Sequence, residues 1–353
     1  MKKSISRQPW RTGVDFIDEI GIARKMARFK VMPDPARRLS LDYDETAERA
    51  TLMMDADWWK KTIIYQIYPR SFCDSNGDGV GDLRGIISKL DYIKELGVQC
   101  VWLNPIYKSP MRDCGYDVAD FKQIDEIFGD MKDFDELVDG LHIRGIKLLM
   151  DFIPNHSSSD HQWFQESRKS KDPSNPYRDY YVWHDGYQNE EGHWPPNNWL
   201  SVFGGSAWEW CEERKQFYLH QFLPTMPDLN YRSEAVVKEM EDVLRFWLDH
   251  GVDGFRVDAI KHLFETENMY LNEEKTYREG VSDDQYESQR HRHTIDQPEI
   301  ATVVGGWRKL MDEYTEKTGL YRFMVAEVYE DWDTSLDTVM GYCKLLFDSN
   351  LKL

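Results

Sequence analysis

Two carboxylates in this chain stand where acid–base chemistry would need them. Asp258 follows the run "GFRV" and Glu327 follows "FMVA". Both runs read as short buried strands, the fourth and fifth in order, and each carboxylate sits at a C-terminal end. Neighbouring strands lie about 4.7–4.9 Å apart. If these two strands pair and both side chains face one mouth, the carboxyls come within ~5 Å, the spacing of retaining rather than inverting glycoside hydrolysis. Arg256 precedes Asp258 by two residues, so on a strand it points to the same side. A guanidinium there favours the ionised form that a nucleophile requires. Glu327, shielded from water, would keep its proton and act as the acid. An isolated carboxylate at a strand end more often caps a helix or pairs with lysine. The "GFRVDA" setting is what argues for chemistry.

A second constellation is "DSNGDGVGDLRG", Asp74 to Gly85. Asp74, Asn76, Asp78 and Asp82 fall at the first, third, fifth and ninth positions of a calcium-type loop, with Gly79 sixth at the sharp turn. An EF-hand needs a bidentate Glu at the twelfth position, where this chain has Gly85. The spacing alone leaves two readings, a cation loop or an ion-free Asp/Gly turn.

Composition bounds the rest. The 353 residues carry a net charge of −19, which disfavours a phosphate backbone as partner, so no nucleic acid is expected. With 41% hydrophobic and 30% charged residues the chain is globular, long enough for one large α/β domain with an insertion. The 13 Trp residues offer flat faces that suit sugars, though aromatics more often fill a core. Five cysteines, Cys73, Cys100, Cys114, Cys211 and Cys343, are odd in number and widely spaced, which argues against a disulfide framework or a zinc site. No apolar run is long enough to span a bilayer, and the basic N-terminus has no apolar segment behind it. The expectation is a soluble chain, without leader or membrane anchor.

The elements that must position these residues follow from periodicity. Residues 1–55 are polar, with one short helix expected near Val14–Ala27. A buried strand is expected over Ile63, Ile64, Tyr65, Ile67 and Tyr68. A helix follows on Leu83, Ile86, Ile87, Leu90, Ile93 and Leu96, ending at Gly97. "VQCVWLNP" is a second strand. A helix with Phe134, Leu137, Val138 and Leu141 on one face leads to "IKLLMDFIPNH", a third strand. The rhythm then stops from Ser157 to Leu229, a stretch rich in Trp, Tyr, Pro, Asn and Gly that reads as an insertion. It resumes with a helix capped by Ser233 and stopped at Gly251, the strand of Asp258, a helix near Thr302–Thr318 and the strand of Glu327. Alternating strands and helices with polar residues at the strand ends (Asn104, Asp151, Asn155, His156, Asp258 and Glu327) describe a parallel sheet of the TIM-barrel kind.

At this point a family resemblance enters. "DFIPNH" (Asp151–His156), "GFRVDAIKH" (Gly254–His262) and Glu327 of "VAEVY" resemble signature regions of the α-amylase superfamily, glycoside hydrolase family 13. "MPDLN" (Met226–Asn230) resembles the segment that closes the family's inserted B domain. "YQIYPRSF", "GYDVADF" and "WFQESR" are similar to the α-glucosidase and maltase branch, and to its relatives, the heavy chains of amino-acid transporters. The resemblance implies a (β/α)8-type barrel with an inserted B domain. Its parts would be a polar extension (1–55), a first barrel portion (56–156), the B domain (157–229) and a second, incomplete portion (230–353). It implies retaining hydrolysis of terminal α-1,4-linked glucose, on a maltose-like oligosaccharide or sucrose. Asp258 would be the nucleophile and Glu327 the general acid/base. Tyr116, Asp117, His156 and Arg256 would line the first sugar pocket, with Phe164 at the entrance and Ala259 marking an α-1,4 preference. It also implies one structural Ca²⁺ held by Asp74, Asn76, Asp78, the Val80 carbonyl and Asp82.

The chain departs from that pattern in one respect. The family uses a third carboxylate, an Asp in an "NHD" segment beyond the sixth strand, and the final "DTVMGYCKLLFDSNLKL" contains none. The expectation is therefore a barrel truncated after about strand five, a fragment or a short isoform. The alternative function is a non-catalytic heavy chain that escorts a transporter light chain. That class needs a membrane anchor and a Cys before "DWW", and "MMDADWW" has neither.

Overall fold

The computed structural model describes residues 57–328, all within one compact unit, Glu45–Leu353. The expected helix near Val14–Ala27, Cys343 and the final "NHD"-less segment lie outside the described residues. Five parallel strands form the central sheet: β1 (Ile64–Ile67), β2 (Cys100–Leu103), β5 (Lys147–Phe152), β11 (Gly254–Val257) and β12 (Phe323–Ala326). They pair in chain order, as the alternating pattern requires. Among the described residues β1 and β12 are the edges and the sheet does not close. The closed eight-stranded form is thus not seen, because these residues supply only five strands to the sheet.

Helices of 4 to 19 residues connect the strands. The run expected as one helix from Leu83 to Leu96 is two, α2 (Leu83–Ile87) and α3 (Leu90–Glu95), after a single turn α1 (Pro69–Phe72). Asp82 caps α2 by accepting from the Gly85 amide. Gly85 cannot carry a side chain, since a Cβ there would sit 1.8 Å from the Cys73 carbonyl oxygen. The antiparallel pair β3 (Tyr107–Lys108) and β4 (Asp120–Ile124) precedes α4 (Met131–Ile143). In α4 the capping box of Asp130 and Asp133 fixes the start, and Phe134, Leu137, Val138 and Leu141 are buried, as their spacing predicted. α6 (Glu234–Asp249) buries Trp247, whose ring meets Phe134 edge-on at 5.0 Å and whose Nε1 donates to the Phe121 carbonyl. Losing that ring would cost about 3–5 kcal/mol, as for other buried large side chains. Ser233 occupies the cap position of α6 but its side chain makes no capping bond. α7 (Ile300–Thr318) precedes β12. Ile63, expected to be buried with β1, is 74% exposed just before the strand begins.

The insertion has its own small sheet and core. α5 (Gln162–Ser167) is followed by β6 (Trp183–His184), the hairpin β7 (Tyr187–Asn189) and β8 (Gly192–Trp194), and the pair β9 (Trp208–Cys211) and β10 (Gln216–Leu219). Strands β6, β10 and β9 form one antiparallel sheet around Val182, Trp199, Trp208, Phe217 and Leu219. Bridges between His156 and Asp228 and between Tyr181 and Leu229 return the chain to the main sheet.

Candidate active site

The register of β11 and β12 sets the site. Val257 pairs with Ala326, so Asp258 and Glu327, one residue on, stand side by side at the strand ends. The Glu327 amide donates to the Val257 carbonyl (2.9 Å), and the Asp258 amide donates to that of Phe152 (2.8 Å). Arg256 lies opposite Asp151 of β5. Its guanidinium gathers three carboxylates: Nη1 donates to Asp151 Oδ1 (2.7 Å) and Asp258 Oδ1 (2.6 Å), and Nη2 to Glu327 Oε1 (2.5 Å). The same group lies 5.0 Å from the Trp102 ring. Asp151 also accepts from Trp102 Nε1 (3.0 Å) and the Tyr116 hydroxyl (3.3 Å), and Asn104 donates to that hydroxyl (2.9 Å).

Three carboxylates on one guanidinium cannot all be ionised at low cost. Burial pushes Asp151 up to about 6, against the pull of Arg256. Burial also raises Asp258 well above the usual range, opposed by Arg256 and reinforced by Asp151 and Glu327. Arg256 is held more firmly protonated, because Asp151, Asp258 and Glu327 outweigh its burial. Arg256 thus sits beside Asp258 as its strand position implied, but does not alone decide the charge of Asp258. Crowding by Asp151 and Glu327 thus joins burial in favouring a proton on Asp258, and glycoside hydrolysis needs a proton on one of its two carboxyls.

A cavity of about 170 Å³ opens above this cluster, walled by Tyr116, His156, Phe222, Met226, Asp113 and Phe203. His156 is buried, and burial lowers its pKa to about 4, so the ring is neutral. Its Nε2 meets no hydrogen-bond partner among the described residues, leaving a polar atom available for a ligand. A second cavity of about 310 Å³ shares Phe222, Asp258 and Glu327 and adds Ala259, Lys261, His262 and Tyr286. Ala259 is left-handed (φ 48°), which turns the chain sharply after Asp258.

Two expected pocket residues lie elsewhere. Asp117 is fully buried behind the wall, where it accepts from Ser109 Oγ and from the amides of Arg112 and Asp113. Asp113, four residues earlier, takes the pocket position instead. The reversal comes from consecutive left-handed residues, Cys114 (φ 54°) and Gly115 (φ 105°). Phe164 is not at the entrance: it is buried in the insertion between Tyr181, Trp183 and Tyr218. The aromatic walls are Phe222 and the 58% exposed Phe203. Phe203 precedes the left-handed Gly204–Gly205 pair, a local sign of a side chain presented on a loop.

The loop from Asp74 to Asp82 offers only oxygen donors, which suits a hard cation. Asp74 accepts from the amides of Asn76, Gly77 and Gly79, which hold its pKa low, Gly79 most strongly. Asp78 accepts from the Val80 amide, and Asp82 from Ser75 and Gly85. The carboxylates are turned to these amides, and among the described residues no group of three or more His, Cys, Asp or Glu side chains is arranged so that it could hold a metal ion. Cys73, Cys100, Cys114 and Cys211 are free thiols. No helix among the described residues is long and apolar enough to cross a membrane.

Comparison with known proteins gives consistent matches. Residues 66–343 match the alpha-amylase catalytic domain family. The salivary alpha-glucosidase of Anopheles gambiae is 48% identical over 277 residues, 77% of this chain and 46% of that protein. The amino acid transporter heavy chain SLC3A1 of Rattus norvegicus is 46% identical over 293 residues, 82% of this chain and 42% of that protein. The crystal structure of the alpha-glucosyl transfer enzyme XgtA superposes with a TM-score of 0.71 at 46% identity, covering 77% of this chain and 50% of that one. The chain spans about half the length of the curated relatives it matches.

Proposed function

The chain belongs to the alpha-amylase catalytic domain family, and from that premise we propose that it carries the catalytic pair of a retaining α-glucosidase acting on maltose-like oligosaccharides or sucrose. The observation that carries this reading is the Arg256 cluster, with Asp258 and Glu327 paired in register on neighbouring strands and joined through one guanidinium. A terminal glucose would occupy the inner cavity, its ring against Tyr116 and its hydroxyls within reach of Asp113 and His156. The proton that burial favours on Asp258 must first pass to Glu327, its neighbour on the same guanidinium; Asp258, then ionised, attacks the anomeric carbon as Glu327 delivers that proton to the glycosidic oxygen, so the C–O bond breaks and a glycosyl ester forms. Glu327, now ionised, takes a proton from water, which attacks the same carbon and releases Asp258. Arg256 stays protonated throughout and spreads the negative charge as it passes between the two carboxyls.

The fold implied for the whole catalytic domain is a TIM barrel, with the five strands as its first part and the segment from Ser157 to Leu229 as the inserted B domain. A structural Ca²⁺ would be held by Asp74, Asn76, Asp78, Asp82 and the Val80 carbonyl, neutralising a loop that carries three carboxylates. The heavy-chain relative supports a second reading, a non-catalytic escort of a transporter light chain. Hydrolysis of maltose and of p-nitrophenyl α-glucoside by the 353-residue chain, beside Asp258→Asn, separates the two. Turnover that vanishes in the variant, with an unchanged melting temperature, supports the hydrolase. Equal turnover in both sinks the nucleophile assignment, and no turnover with capture of a light chain favours the escort.

A further inference from the structure

Phe222 is the wall between the two cavities, its ring 5.1 Å from that of His156 and 5.2 Å from that of His262. The residue before it, Gln221, is buried, and its side-chain amide has three partners. Nε2 donates to Asp228 Oδ2 and to the His262 carbonyl, 2.8 Å each, and Oε1 lies 2.8 Å from His262 Nδ1. The Gln221 backbone amide also donates to Asp228 Oδ1 (3.1 Å), so Asp228 grips Gln221 twice.

These contacts fix a proton. A backbone carbonyl only accepts, so the NH2 end of Gln221 must face the His262 oxygen. That leaves the acceptor end, Oε1, against His262 Nδ1, and Nδ1 must therefore carry the ring hydrogen. Burial, reinforced by the positive charge of Lys261, lowers the ring to about 3, so it holds that one hydrogen and no second. Nε2 is then a bare lone pair. The ring lines the outer cavity beside Asp258, Ala259 and Glu327, and Nδ1 makes its one hydrogen bond among the described residues. The His262 carbonyl, held by the same amide, belongs to the turn Ile260–His262 that follows Asp258 directly.

We propose that Gln221 is a positioning residue that locks His262 as its Nδ1–H tautomer, so that Nε2 accepts a hydroxyl of the sugar on the leaving-group side. Through the His262 carbonyl it also steadies the turn behind Asp258. Asp228, which closes the insertion, holds Gln221 in place, so the insertion is coupled to the catalytic strand end through one side chain. The hydroxyl-acceptor part rests on the α-glucosidase reading. The tautomer part does not.

The test uses the full chain labelled with ¹⁵N-histidine, with His262→Gln to assign the resonance. Long-range ¹H–¹⁵N spectra should show the Nδ1–H form at His262, and Gln221→Met, whose thioether is only a weak acceptor, should lose its dominance. The same variant should lower kcat/KM for maltose about fivefold more than for p-nitrophenyl α-glucoside, whose leaving group has no sugar hydroxyl, the loss expected for one neutral hydrogen bond. A native Nε2–H form overturns the proposal, as do equal losses on the two substrates. If Gln221→Met does not fold, the native tautomer still decides. If the native chain turns over neither substrate, the hydrolase reading fails while the tautomer result continues to judge Gln221.

Discussion

Replacing Arg256 by Met should destabilise the chain in a pH-dependent way. Methionine keeps much of the apolar stem but removes the charge. The guanidinium now donates to Asp151, Asp258 and Glu327 at 2.7, 2.6 and 2.5 Å, and the Asp151 side chain is wholly buried. Breaking such a buried pair by removing one partner costs about 3–5 kcal/mol. The pH sign follows from Asp151. Its folded pKa of about 6 lies above the 3.8 usual for an aspartate, so the folded state binds the proton more tightly. This group's contribution therefore falls as pH rises from 3.8 to 6 and is flat above 6. Removing the cation raises the folded pKa further, because burial is then opposed only by the hydrogen bonds from Trp102 and Tyr116. The variant keeps losing stability above pH 6, where the wild type has stopped, at about 1.4 kcal/mol for each unit of additional rise. Freed Asp258, also raised by burial, adds to the loss in the same direction. Urea melts at pH 8 should show the full deficit of about 3–5 kcal/mol, and at pH 5.5 about half of it. A deficit equal at the two pH values, or below about 0.5 kcal/mol at pH 8, would refute the claim that Arg256 holds buried negative charge.

Two further substitutions separate the neighbouring aspartates. Asp113→Ala should raise KM for maltose about tenfold through a lost charge-assisted bond to a sugar hydroxyl, with little change in melting temperature. Asp117→Ala should lower stability by about 2–3 kcal/mol, since it strips the acceptor from three donors; the reverse pattern in paired melting and kinetic assays would restore Asp117 to the pocket. Asp78→Ala should lower the melting temperature when calcium is present and leave it nearly unchanged with chelator, because its bond from the Val80 amide is exposed and a bound cation is what would link this side chain to folding. Equal losses in both conditions would make the loop an ion-free turn.

What could be read from the sequence followed from periodic patterns. The face of α4 and the strand ends carrying Asp151, Asp258 and Glu327 were visible because burial on a helix or a parallel strand repeats at fixed intervals. The pairing of Asp258 with Glu327 needed only adjacency of consecutive strands, which the sheet order supplies. The errors arose where the chain reverses without a period. Asp113 stands three residues before Tyr116 and Asp117 one after it, and the left-handed Cys114–Gly115 pair sends one to the cavity and the other behind it. Gly115 was the available sign, since its Cβ would lie 3.2 Å from the Pro105 carbonyl oxygen.

The aromatic residues mark the same boundary between local and long-range information. Phe164 stands on a helix facing its own insertion, so its neighbours are Tyr181, Trp183 and Tyr218, all from that insertion. Phe222 lies only three residues past the end of β10, yet its ring contacts both His156 and His262, which follow separate strands of the main sheet. No spacing rule links positions 156, 222 and 262. They meet because Asp228 and Gln221 tie the end of the insertion to the ends of β5 and β11 through buried hydrogen bonds. The strands thus place the reacting carboxylates, while the insertion sets which atoms face the ligand, so substitutions in the insertion should alter substrate preference more than they alter the Arg256 cluster.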